Sequence, residues 1–298
     1  MSRIFDALQL SESQRCGFDL SRAPSVATEL LQVAEAEQVA NAKTVAESGP
    51  VAETQDVLGS FPSLQILSSS NSRFVSLRDQ SSLAAEKFRF LGVRLRQLQR
   101  TRSLKKLLIT STIPEEGKSL VCGNIAVILA QREHQKVLLI EGDLRRPALG
   151  PAFGLGTLPG LSEDLQGGIN PIRNIFHLEG AGLWFLPAGS PPENPLGLMQ
   201  SGRLSELLDH LVTWFDWIII DSPPLLPLAD TTVWMRVADG VLMVARVGVT
   251  QRQPLKQGIE VLDESKLVGV VLNSCSNASH YGYYQRYAAA GKQSPTAE

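Results

Sequence analysis

The chain has 298 residues, 43% of them hydrophobic, and a formal net charge of −2. That length accommodates one large domain or one domain with appendages, and the near-neutral charge lacks the strongly basic footprint of a nucleic-acid-binding domain, so no nucleic-acid partner is expected. The three cysteines, Cys16, Cys122 and Cys275, are scattered without Cys-x-x-Cys spacing, which argues against a disulfide framework or a zinc site. No apolar h-region follows MSRIFDALQLSESQR, and runs such as WIII and LVGVVL fall far short of the ~20 residues of a membrane span; the expectation is a cytoplasmic protein.

Residues 1–75 read as an N-terminal arm. Its first residues form a short amphipathic patch of Ile4, Phe5, Leu8 and Leu10, suited either to docking on a partner or to a frayed end. From about residue 17 the arm is rich in Ala, Glu, Gln, Ser and Val without an apolar stripe, the composition of a mobile linker. Order is expected from Ser82, a candidate N-cap, because Phe88, Leu91, Leu95 and Leu98 recur at helical spacing. The other faces of this helix carry Lys87, Arg89, Arg94, Arg96 and Arg100. Such a run is first a solvated face, and second a surface for an acidic partner or lipid.

From residue 104 short apolar runs alternate with helix-length segments. Strand candidates are LKKLLITS, KVLLIEGD, LWFLPAG, WIIIDSPP, DGVLMVARV and LVGVVLNS, separated by stretches such as GKSLVCGNIAVILAQRE and RQPLKQGIEVLDES. Strands apolar on both faces and alternating with helices predict an α/β fold, a mainly parallel sheet with helices on both faces. A domain over 76–275 follows, with a tail over 276–298.

In such sheets ligands bind outside the carboxyl ends of the strands. The first strong strand runs into TSTIPEEGKSL and at once into a helix, the setting of a phosphate-binding loop. Backbone N–H groups of Pro114-Glu115-Glu116-Gly117-Lys118-Ser119-Leu120 and the helix N-terminus suit phosphate oxygens, except that Pro114 has no N–H. Lys118 supplies a point charge, and the Ser119 hydroxyl can ligand Mg²⁺. Thr112 stands at the first glycine position of the common loop form. The next strand ends in LLIEGDLRRP, which places Glu141 and Asp143 two apart and so on one face of an extended end; one could accept a proton and the other help to hold metal. WIIIDSPP puts Asp221 after a buried run, the form of an acid that holds Mg²⁺ through water.

The chain's four tyrosines, Tyr281, Tyr283, Tyr284 and Tyr287, all lie within seven positions of the tail. Turn-like flanks make them poor core material; an aromatic patch on a sheet edge is the plainer alternative. Together IPEEGKS, LLIEGDLRRP, IIIDSPP and this cluster resemble the three Walker motifs and the tail of the bacterial tyrosine kinases of the capsular exopolysaccharide family, over about residues 82–287. AEKFRFLGVRL resembles that family's Glu-x-x-Arg-x-x-Arg oligomerisation helix, with Glu86 and Arg89 in place.

The resemblance implies a P-loop transferase that uses ATP and Mg²⁺ to autophosphorylate its tail tyrosines, mostly between neighbouring copies. It also implies a separate membrane adaptor or chain-length (polysaccharide co-polymerase) protein as activator, recruitment to the inner membrane face, and regulation of exopolysaccharide or capsule synthesis. Mapped onto this sequence, Lys118 and Ser119 hold phosphates and metal, Glu141 is the candidate base, Asp143 and Asp221 support Mg²⁺, and Asn273 meets the adenine. Four departures stand out: Glu115 replaces a glycine, Glu141 an aspartate and Gly92 the second helix arginine, and the long N-terminal segment has no counterpart in the minimal cytoplasmic kinase. Two other readings remain. One is a nucleotide-binding scaffold with little phosphotransfer, favoured by Glu115 and Glu141; the other is a positioning ATPase, whose loop lysine would stand at Ile113 and which lacks a tyrosine tail.

Overall fold

The computed structural model describes residues 57–66, 73–167, 173–226 and 229–275. The N-terminal patch at residues 4–10 and the tyrosines at 281–287 lie outside the described residues. Eight strands form one sheet in the order β1 (Ser63–Leu64), β4 (Phe176–Leu178), β5 (Leu183–Leu186), β3 (Val137–Glu141), β6 (Trp217–Asp221), β2 (Lys106–Ser111), β7 (Gly240–Arg246) and β8 (Leu267–Asn273). All neighbours are parallel except the antiparallel β4–β5 pair. β3 and β6 are buried throughout, and β2 is buried from its second residue on. Their apolar, β-branched sequences reflect a sheet covered on both faces.

The helices are α1 (Val75–Arg78), α2 (Leu83–Thr101), α3 (Lys118–Ala130), α4 (Leu149–Ala152), α5 (Leu161–Gly167), α6 (Pro195–Met199), α7 (Arg203–Trp214), α8 (Asp230–Val237) and α9 (Arg252–Val261). None is long and apolar enough to cross a membrane. α2 starts where the sequence places it: the Ser82 hydroxyl accepts from Ala85 N at 3.2 Å. Leu95 is buried, with Phe88, Leu91 and Leu98 packed against the same core. α3 is buried over Val121–Leu129, because it lies between the sheet and α2.

Two glycines set how closely that third layer approaches. A Cβ on Gly92 of α2 would stand 2.7 Å from Ile128 Cγ2 of α3, and one on Gly123 of α3 would stand 2.2 Å from Phe74 Cε1. Gly92 therefore faces inward, and an arginine could not be held there without displacing Ile128 or α2 itself. Arg96, one turn on, brings its Nη1 within 3.6 Å of the same point. Glu86 and Arg89 are ion-paired with each other on the exposed side, and Arg89 also donates to Gln80 O.

The expected boundary at residue 76 needs correction, because part of the arm belongs to the folded unit. β1 adds a strand beside β4, Leu58 and Phe74 are buried, and Phe74 stacks on Phe153 with ring centroids 4.4 Å apart. Ser76 N donates to Asn124 Oδ1 of α3 at 3.1 Å. These segments are too short for a periodicity to stand out.

Replacing Gly92 by arginine weighs a helix-propensity gain of about 1 kcal/mol against overpacking of about 1–3 kcal/mol and burial of a charge. The expected outcome is a melting temperature lowered by about 5 °C or more, read by thermal unfolding.

Candidate active site

β2, β6 and β3 are adjacent, so the loop after β2, Asp221 at the end of β6 and the turn after β3 meet at one edge of the sheet. Gly117 closes the loop at φ 89° and caps α3, which begins at Lys118. A Cβ there would stand 2.2 Å from Asn273 Nδ2, so only glycine fits between α3 and the end of β8.

Lys118 Nζ lies 3.1 Å from Asp143 Oδ2, 3.8 Å from Asp221 Oδ1 and 3.3 Å from Ser119 Oγ. Burial works against the ammonium charge, but the two aspartates outweigh it and hold the Lys118 pKa above its ordinary value. Asp143 Oδ1 accepts from Arg146 N at 3.0 Å within its own turn. Asp221 is fully buried, and no hydrogen bond of good geometry reaches its carboxylate, although the Ser119 hydroxyl and Lys118 lie near enough to stabilise its charge. Burial, only partly offset by Lys118, pushes its pKa up to about 6.

Two carboxylates against one ammonium leave a surplus negative charge. Hard oxygen donors with a nearby hydroxyl fit Mg²⁺, which is usually held by one or two carboxylates plus substrate oxygens. Ser119, Asp143 and Asp221 could hold such an ion.

Glu141 and Asp143, expected as an acidic pair on one face, take different partners. β3 ends at Glu141. Gly142 N donates to Asp221 O at 2.7 Å, and a Cβ on Gly142 would meet that oxygen at 2.7 Å. This bond continues the β3–β6 ladder one residue past β3. Asp143 turns to Lys118, whereas Glu141, 2% exposed, accepts from Leu149 N at 2.5 Å, Gly150 N at 3.3 Å and Ala188 N at 3.2 Å. No hydrogen bond or ion pair joins Glu141 to Lys118 or Ser119. Burial raises its pKa, and these backbone donors pull it back only in part. Each hydrogen bond to such a charged acceptor contributes about 1.5–3 kcal/mol.

Several supporting residues were not foreseen as supports. Glu116, expected only as part of the cradle, is fully buried, and its carboxylate accepts from Ile113 N at 2.9 Å and from the Thr250 hydroxyl. Asn273 Nδ2 donates to Glu116 O at 2.9 Å, and Arg246 Nη1 donates to Glu115 O at 3.2 Å. The ends of β7 and β8 therefore hold the loop in shape. Glu115 takes φ 66°, a left-handed conformation costing a non-glycine residue about 1–2 kcal/mol; its side chain is exposed. On the far side of the turn after β3, Trp234 Nε1 donates to Gly142 O at 3.2 Å, and Arg145 forms a two-pronged pair with the buried Asp230 at 2.6 and 3.3 Å. The one sequence hint for α8 was its position between two strands.

A buried, mainly parallel sheet, a Gly-Lys-Ser turn opening a helix, and two strand-end aspartates facing its lysine define a P-loop nucleotide-binding fold. Tyrosine-protein kinase YwqD of Bacillus subtilis is 34% identical over 214 residues, covering 70% of this chain and 90% of its own length. Tyrosine-protein kinase wzc of Salmonella typhimurium is 30% identical over 220 residues, covering 72% of this chain but 30% of its own length. The kinase domain of Escherichia coli tyrosine kinase ETK superposes with a TM-score of 0.65 at 30% identity, covering 69% of this chain and 82% of that one. No protein-family model matches the chain. The chain belongs to the bacterial tyrosine-protein kinases. It spans nearly all of the Bacillus relative and less than a third of the Salmonella one.

A carboxylate whose folded-state pKa is raised loses stability as pH climbs through that pKa. For Asp221 the window runs from the ordinary 3.8 up to about 6. Asp221→Asn should therefore stabilise the metal-free protein at pH 8, by up to about 3 kcal/mol, with the gain fading as pH falls from 6 to 4. Urea unfolding at both pH values in EDTA checks this; an equal effect at both would contradict it.

Proposed function

We propose that this protein transfers the γ-phosphoryl group of ATP to tyrosine hydroxyls, and that its own Tyr281, Tyr283, Tyr284 and Tyr287 are acceptors, presented to a neighbouring copy. The observation that carries the reading is Lys118 held between Asp143 and Asp221 at the start of α3. The tail adds support. Asn273, bonded to the phosphate loop, stands two residues before Cys275, where the described fold ends. From Asn273 to Tyr287 an extended chain reaches at most ~50 Å, at ~3.3–3.6 Å per residue, enough to enter an adjacent site.

On this reading Lys118 exchanges its aspartates for phosphate oxygens when the nucleotide enters. Backbone N–H groups of Glu115 to Leu120 surround the phosphates, and Asn273 lines the rim on the adenine side. Ser119, Asp143 and Asp221 would hold Mg²⁺, which would supply positive charge to the transferred phosphate group. Transfer forms the bond from phosphorus to the tyrosine oxygen, breaks the bond to the β-phosphate oxygen, and releases ADP and the phenolic proton. Such a transition state is loose, so positioning and electrostatics supply most of the catalysis. A cytoplasmic site of action, recruitment by a separate membrane adaptor and regulation of exopolysaccharide or capsule export belong to the same proposal. So does self-association through the Glu86 and Arg89 face of α2, although Gly92 contributes nothing to that face.

A second reading, a nucleotide-binding regulator with little phosphotransfer, is favoured by the engagement of Glu141 with backbone amides. Intact-mass and anti-phosphotyrosine measurements after Mg-ATP separate the two, run beside Lys118→Ala and repeated with a cytoplasmic peptide of any co-encoded membrane protein. Phosphates at Tyr281 to Tyr287 in the wild type alone are expected. Bound ATP with an unmodified tail, even with the peptide, would favour the regulator. Full modification adds roughly −6 to −8 charges, at about −1.5 to −2 each. The expected consequence is a smaller assembly by light scattering, and an unchanged mass would count against that coupling.

A further inference from the structure

We infer that Glu141 is a positioning residue: it acts through Asp143 by anchoring the turn that carries it, and it does not take the phenolic proton. The inference rests on the kinase reading above. A carboxylate offers about four lone-pair sites, and three of Glu141's accept backbone N–H groups from two separate segments. Oε1 takes Leu149 and Gly150, and Oε2 takes Ala188 in the loop after β5. Swinging the 2% exposed carboxylate out toward a tyrosine hydroxyl would leave those buried amides unpaired, an arrangement that native structures avoid.

The anchored residues explain what the contact does. Between Glu141 and Leu149 lies the turn bearing Asp143. β3 fixes one end of that turn, and the Glu141 carboxylate fixes the other. Its flank is held independently, by Trp234 on Gly142 O and by the Arg145–Asp230 pair. Asp143, bonded inside the turn to Arg146 N, is thus presented to Lys118 by a closed frame.

The same frame accounts for the glutamate. An aspartate would withdraw the carboxylate by about one C–C bond, ~1.5 Å. Contacts now at 3.2 and 3.3 Å would then exceed hydrogen-bond range. The extra methylene lets a single side chain join the 149–150 turn to the 188 loop. The residue expected as the base is then a tie between two segments.

The test combines amide hydrogen exchange on the metal- and nucleotide-free protein with the Mg²⁺ dependence of autophosphorylation, for wild type, Glu141→Gln and Glu141→Asp. Glutamine keeps one carbonyl oxygen but presents an NH₂ to a second donor. In Glu141→Gln the Ala188 amide should therefore exchange at least about tenfold faster, while β3 and β6 amides stay protected and report an intact fold. Half-saturating Mg²⁺ should rise about three- to tenfold, with kcat at saturating Mg²⁺ falling less than about tenfold. Glu141→Asp should lose protection at Gly150 and Ala188 and shift Mg²⁺ dependence the same way.

A general base contributes about 10²–10⁴-fold. A fall in kcat beyond a hundredfold at saturating Mg²⁺, with exchange and half-saturation unchanged, would make Glu141 the base and overturn the inference. Faster exchange with unchanged half-saturating Mg²⁺ would also overturn it, reducing Glu141 to a purely structural role. Protected amides in a wild type that makes no phosphotyrosine would refute the kinase reading instead.

Discussion

Two buried carboxylates share one ammonium at the carboxyl ends of three adjacent strands, and the rest of the structure serves that arrangement. Lys118 partly offsets the burial of Asp143 and Asp221, yet a negative charge remains, and Asp221 Oδ1 meets Lys118 only at 3.8 Å. An unbalanced buried charge destabilises a fold. The imbalance lies at the carboxyl edge of the sheet, where ligands of such folds bind.

Holding the arrangement requires support from elements far apart in the chain. The phosphate loop is shaped from one side by Thr250, Arg246 and Asn273, at the ends of β7 and β8. The turn carrying Asp143 is shaped from the other side by α8 and by the Glu141 carboxylate. Preorganised donors and charges need no rearrangement when a substrate arrives, and this is where most electrostatic catalysis originates. Glu116 follows the same logic: a fully buried acid in an anion-binding loop would be costly, but Ile113 N and Thr250 give it partners that stiffen the loop.

The α2–α3 contact links this site to the outer layer of the fold. α3 starts at the phosphate loop, and Gly92, Gly123 and Phe74 set how closely neighbouring segments press upon it. Because Gly92 lies against Ile128, α2 has one face committed inward and leaves Glu86 and Arg89 on the other. Any assembly through α2 must use that outer face.

The sequence by itself determined the α/β class, the strands that carry the motifs, the start of α2 at Ser82 and the meeting of Lys118, Ser119, Asp143 and Asp221. Each of these rests on a local pattern: a buried apolar run, a cap, or a residue just beyond a strand end. Only the tertiary structure decided which partners the two acids take, Asp143 with Lys118 and Glu141 with backbone amides of two segments distant in sequence. It alone showed that part of the supposed arm belongs to the sheet and core. It also gave the replacement of an arginine by Gly92 a reason, in the 2.7 Å that a Cβ would leave to Ile128. These features depend on contacts between residues distant in sequence, and a one-dimensional pattern carries no record of the distance between two side chains brought together by the fold.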